Sequence, residues 1–149
     1  MNFISKQIIE CFSRGGKLLI LGCGGSNAEA SHMAAEFIGK GFPAIALNDP
    51  SIITALANDF SFEEVFCRWI FALGKQGDIV ITLSTSGRSK SVLNAMDAAN
   101  RMGLDIIDWP RKKQKKNDYD TAWIQEYQLE LIHTVYLEVD KYFKNENNR

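Results

Sequence analysis

Two apolar runs, residues 18–21 and 79–83, each end in a short loop dense in glycine and hydroxyl residues: Gly22-Cys23-Gly24-Gly25-Ser26 and Ser84-Thr85-Ser86-Gly87-Arg88-Ser89. Each loop then opens a helical stretch. A repeated strand, donor-rich turn and helix specify a parallel α/β sheet, because parallel neighbours need a crossover, usually a helix, between them. The same arrangement builds an anion site. Backbone N–H groups at a helix start have no intrahelical partner, the helix dipole adds partial positive charge, and hydroxyls supply further donors to phosphate oxygens. The chain is expected to handle a phosphorylated small molecule.

Apolar periodicity and chain breakers extend the alternation over the whole sequence. Residues 1–12 read as an amphipathic helix stopped by Gly15-Gly16, 17–21 as a strand and 27–40 as a helix. Residues 43–47 form a second expected strand. Asp49-Pro50 then starts a helix with proline at its first position, running to about residue 57, and 61–73 form another. The third strand, 77–83, is nearly all apolar, as a strand covered on both faces should be. A helix over 89–102 closes at Gly103, a fourth strand covers 104–108, residues 109–120 read as a polar basic connection, and 121–143 form a long final helix. The expected architecture is one domain, a three-layer αβα sandwich around a parallel sheet of about four strands.

At 149 residues the chain can bury a single substantial core. A net charge of −1 gives no global reason to expect nucleic acid or an anionic membrane as partner. No stretch approaches the roughly 18 apolar residues of a membrane span, and three cysteines without a CxxC pair suit a reducing compartment. A cytoplasmic setting is expected. Five cations within 111–116 read most simply as a solvated stretch, with a local contact to nucleic acid or an acidic protein as the sharper alternative. A dinucleotide-binding turn is the competing reading of the first loop but fits its fingerprint poorly, because Asn27 stands where the third glycine would be, and no Walker lysine is present.

Gly22-Cys23-Gly24-Gly25-Ser26, the run Glu29 to Glu36, Ala57-Asn58-Asp59-Phe60, Ser84 to Ser89 and Ile124-Gln125-Glu126 together resemble the sugar isomerase (SIS) domain family. Within it the likeness is to the branch that isomerises phosphorylated heptoses. The resemblance implies a flavodoxin-like fold, conversion of sedoheptulose 7-phosphate to D-glycero-D-manno-heptose 7-phosphate through an enediol, a zinc ion, and a homotetramer with sites at subunit interfaces. It places the phosphate on Ser84, Thr85, Ser86 and Ser89, and the sugar on Ser26, Asp59 and Gln125. It implies His32, Glu36, Gln125 and His133 as metal ligands, with Glu36 as base and His133 as acid. Cys23 and Arg88 each replace an asparagine usual in the family.

The residues themselves allow blander readings. Ser89 would serve as a helix N-cap with or without a ligand, and Glu36 would pair with Lys40 at i+4. His32 and Glu36, also at i and i+4, share a helix face and can converge on one ion. Gln125 and His133 lie eight residues apart, a helical rise of about 12 Å, and reach one ion only through extended side chains, a bent helix or another subunit. Apolar positions on the final helix, Ile124, Leu131, Ile132, Val135 and Leu137, call for cover that a homo-oligomer would supply. The alternative function is a non-catalytic SIS module that binds a phosphosugar or a protein.

Overall fold

The structure, a computed structural model, describes residues 1–111 and 121–147. Four parallel strands, β1 (Leu18–Gly22), β2 (Ala44–Ala46), β3 (Ile79–Leu83) and β4 (Asp105–Asp108), lie in the order β2-β1-β3-β4. The helices are α1 (Phe3–Ser13), α2 (Gly25–Gly39), α3 (Pro50–Asp59), α4 (Val65–Leu73), α5 (Lys90–Arg101) and α6 (Thr121–Asn147), with a 3-10 turn at Phe62–Glu64. Alternate residues of the central strands feed two separate cores, as the twofold period of a strand requires. Leu18, Ile20, Ile79 and Ile81 face α1, α2 and α6. Leu19, Leu21 and Val80 face α4 and α5. This is the three-layer αβα sandwich with four strands.

Local chemistry sets most boundaries. Asp49 caps α3 by accepting from the Ile52 amide at 2.9 Å, with Pro50 as the first helical residue. Gly24 enters α2 with φ +59°, a left-handed conformation that favours glycine. The expected single helix over 61–73 is broken into the 3-10 turn and α4, and β2 covers only three residues of the expected five. The final helix runs four residues beyond its expected end.

Two expectations need correction. Trp109, placed by the sequence in a polar connection, is fully buried: its amide donates to the Thr82 carbonyl at 2.8 Å and its indole N–H to the Gln128 carbonyl at 3.2 Å. It therefore prolongs β4 into the core, and residues 112–120 of that connection lie outside the described residues. Likewise Ile124, Ile132 and Val135 need no second subunit to cover them, because the chain's own core buries all three; Leu137 remains half exposed. Among the described residues no helix is long and apolar enough to cross a membrane.

At the N-terminal edge of the sheet the buried Asp78 accepts from the amides of Lys17 (3.0 Å) and Lys75 (2.8 Å) and pairs with the Lys17 ammonium. The carboxylate thus joins the starts of β1 and β3. Replacing Asp78 with Ala strands one cation and two amides at once, and should destabilise the protein by about 3 kcal/mol in urea unfolding.

Candidate active site

Strand order reverses between β1 and β3, the switch point where parallel sheets of this kind leave a crevice beyond the strands' carboxyl ends. Gly22 pairs with Leu83, so both loops leave the sheet at one level. Between them lies a cavity of about 120 Å³ lined by Cys23, Ser26, Leu83, Ser84, Thr85, Ser86, Ser89 and Val92. Five hydroxyls predicted from the sequence therefore converge in one place. Ser84 Oγ accepts from the Gly87 amide at 3.0 Å and Ser86 Oγ from the Arg88 amide at 3.1 Å, which shapes the loop and leaves each hydroxyl proton to donate. Ser89 stands at the N-cap of α5, yet its side chain makes no capping bond there. Its Oγ instead lies 3.1 Å from Ser91 Oγ and 3.5 Å from Cys23 Sγ. Capping does not explain that hydroxyl. The N-termini of α2 and α5 both begin at this cavity, adding two dipoles of one sign.

A second constellation lies further along α2. His32 Nε2 is 2.9 Å from His133 Nε2 and 3.5 Å from Glu36 Oε1, and one ligand atom from each of the three residues fits within 4.8 Å of the others. Tetrahedral zinc with bonds of about 2.0 to 2.1 Å holds neighbouring ligand atoms roughly 3.3 Å apart. The set fits such an ion, with positions left over, and His133 is exposed. Glu36 does not take Lys40 as its partner: Lys40 Nζ sits 3.9 Å from Asp140 Oδ2. Tyr136, one turn beyond His133, has its phenol pushed above the ordinary value by desolvation and then by the Glu36 and Asp140 carboxylates.

The remaining predicted residues fall elsewhere. Gln125 packs on Gly25 so closely that a Cβ there would lie 2.3 Å from Gln125 Nε2. It lies against the start of α2, eight residues from His133 on one continuous helix. Asp59 ends α3, exposed, accepting from Asn58 Nδ2 at 3.0 Å. Asn27 ties the two strand ends together by donating to the Gly22 carbonyl at 3.0 Å and the Leu47 carbonyl at 3.4 Å. Sequence reasoning missed Glu29. Its carboxylate is buried on α2 between the two constellations, both oxygens lack a partner among the described residues, and burial pushes its pKa to about 7. Its seven-residue spacing from Glu36 was the available signal, since it puts both on one helix face.

The sequence pattern of the SIS domain matches residues 1–108. Phosphoheptose isomerases from Thermodesulfovibrio yellowstonii and from a Roseiflexus species are each 43% identical to this chain. The first alignment covers 87% of this chain and 74% of the relative, the second 89% and 76%. The solved phosphoheptose isomerase structure from Neisseria gonorrhoeae superimposes with a TM-score of 0.86 at 33% identity, covering 93% of this chain and 83% of that one. The one from Francisella tularensis does so with 0.85 at 27% identity over the same shares. The chain belongs to the SIS domain family, and within it to the phosphoheptose isomerase group.

Glu29 has a pH signature. Its folded pKa, about 7, stands above the ordinary 4.5, so between those values the native state holds a proton that the unfolded chain has released. Stability falls as pH rises through that window, and the full penalty is present above it. Glu29→Gln, neutral throughout, should be more stable than the parent by about 3 kcal/mol at pH 8 and by less than about 1 kcal/mol at pH 5. Urea unfolding at the two pH values measures the difference.

Proposed function

We propose that this chain is a phosphoheptose isomerase that interconverts sedoheptulose 7-phosphate and D-glycero-D-manno-heptose 7-phosphate. The observation that carries the reading is the pairing of two constellations on α2, a hydroxyl-lined cavity at its start and a histidine-carboxylate cluster further along it. One suits a phosphate and the other suits proton transfer. In this reading Ser84, Thr85, Ser86 and Ser89 donate to the phosphate, while Ser26, Asp59 and Gln125 take the sugar hydroxyls. The Glu36 carboxylate removes the proton from the carbon beside the carbonyl. The electron pair left behind forms the C1=C2 double bond as the carbonyl oxygen takes a proton from His133, giving an enediol. Return of the proton to the other carbon, with His133 recovering one from oxygen, completes the isomerisation. Held by His32, Glu36, His133 and a Gln125, zinc would supply Lewis acidity toward the two substrate oxygens.

The geometry favours a site shared between copies. From Ser26 to Glu36 the α2 axis rises about 15 Å, and from Gln125 to His133 the α6 axis rises about 12 Å. An extended seven-carbon chain of about 1.5 Å bonds, with the ester oxygen at its end, reaches only roughly 10 Å from its first carbon to the phosphorus, short of the about 15 Å along α2. We assign the hydroxyl cavity and Gln125 to one copy and the His32, Glu36 and His133 cluster to its neighbour, in a homotetramer. The three cysteines are all free thiols, which suits the cytoplasm as the place of action.

The test is isomerisation of sedoheptulose 7-phosphate by the purified protein, with metal content measured alongside. Glu36→Gln should lower turnover by about 10³-fold while phosphosugar binding persists. Unchanged turnover in that variant removes Glu36 from the mechanism. Binding without turnover by the parent protein would mark a sugar-phosphate-binding module instead.

A further inference from the structure

Resting on the reading of the hydroxyl cavity as a phosphate site, we infer that Arg111 is the cation of that site, held against the 84–87 turn to supply charge that the cavity wall lacks. Among the described residues, none that lines the cavity carries a formal charge. Hydroxyls and helix ends orient a phosphate dianion, and a guanidinium beside the turn adds a positive charge, here shared with the Asp108 carboxylate.

The sequence groups Arg111 with the lysines that follow it. The fold separates it from a freely solvated role. Its Nη1 donates to the Ser84 carbonyl at 3.2 Å and to Asp108 Oδ1 at 3.0 Å, and its Nη2 donates to Asp108 Oδ2 at 2.5 Å. Asp108 is itself held by the Thr82 hydroxyl, 3.1 Å away. The guanidinium also lies on Gly87: a Cβ built there would sit 3.2 Å from Arg111 Cζ and 3.3 Å from Nη2. A side chain at 87 would displace the cation. Three of the five guanidinium N–H groups are engaged in these bonds, and the other two have no partner among the described residues. Arg111 is three-quarters buried, with 27% of its side chain exposed, so its charge, although paired with Asp108, is less screened by solvent than that of the exposed Arg88.

The test compares Arg111→Lys, which keeps the charge, with Arg111→Gln, which keeps a donor for the Ser84 carbonyl and loses the charge. Inhibition by inorganic phosphate, KM, kcat and the unfolding midpoint are measured for each. Arg111→Gln should raise KM and the phosphate inhibition constant about tenfold with kcat within about threefold, the pattern of lost ground-state binding. Arg111→Lys should stay within about threefold on all constants. Raising ionic strength should weaken phosphate binding by the parent more than by Arg111→Gln. Equal losses in both variants, or a fall in kcat at constant KM, would overturn the inference, because a purely structural clamp predicts those. If Arg111→Gln fails to fold, Arg111→Lys decides: a tenfold loss of phosphate affinity overturns the inference and retention supports it. A parent protein that ignores inorganic phosphate refutes the phosphate reading itself, whereas a parent that binds phosphate no better than Arg111→Gln refutes only the role of Arg111.

Discussion

The parallel pairing of β1 with β3 is the constraint on which the rest depends. Because Leu18 registers with Ile79 and Gly22 with Leu83, the glycine loop and the serine loop leave the sheet side by side. Neither loop alone would enclose an anion. A slip of one residue would turn each strand's buried faces over and separate the hydroxyls of Ser26 and Ser84. Asp78 secures the far end of the same pair by joining the starts of both strands.

Helix α2 carries the second consequence. It begins at the cavity with Ser26, passes the buried Glu29, and reaches His32 and Glu36 beside His133 of α6. Both helices run from the cavity end toward the histidine end, since Gly25 meets Gln125 and His32 meets His133. The hydroxyl cavity and the histidine-carboxylate cluster therefore sit at different heights along one helix pair. In the proposed reading, that spacing assigns the missing half of the site to a neighbouring copy. The exposure of His133 leaves the cluster open to such a neighbour.

Much of this was legible from short-range patterns. The two loops, the Asp49-Pro50 helix start and the i,i+4 relation of His32 with Glu36 depend on neighbours within a few residues, where sequence speaks directly. The four strands and their order of appearance followed from apolar runs between breakers. What escaped were contacts made across the fold. Trp109 looked like part of a polar connection because its flanks are polar, and only the Thr82 and Gln128 carbonyls explain its burial. Ile124, Ile132 and Val135 suggested an oligomeric face, yet α1, α2 and the sheet already cover Ile132 and Val135. Gln125 could not be placed from its spacing to His133 alone, and its contact with Gly25 locates it beside the start of α2. Glu29 gave no sign of isolation, because a buried carboxylate without a partner is a property of packing.

The central claim is that one copy's hydroxyl loop works with another copy's histidine-carboxylate cluster. The direct measurement is subunit complementation between an inactive Glu36→Gln chain and an inactive chain carrying Ser84→Ala with Ser86→Ala, dissociated and reassembled together. Recovery of isomerase activity in the mixture, absent from either variant reassembled alone, is the predicted result, since some interfaces then combine two intact halves. A mixture that stays as inactive as its parts, although mixed oligomers have formed, would contradict the account.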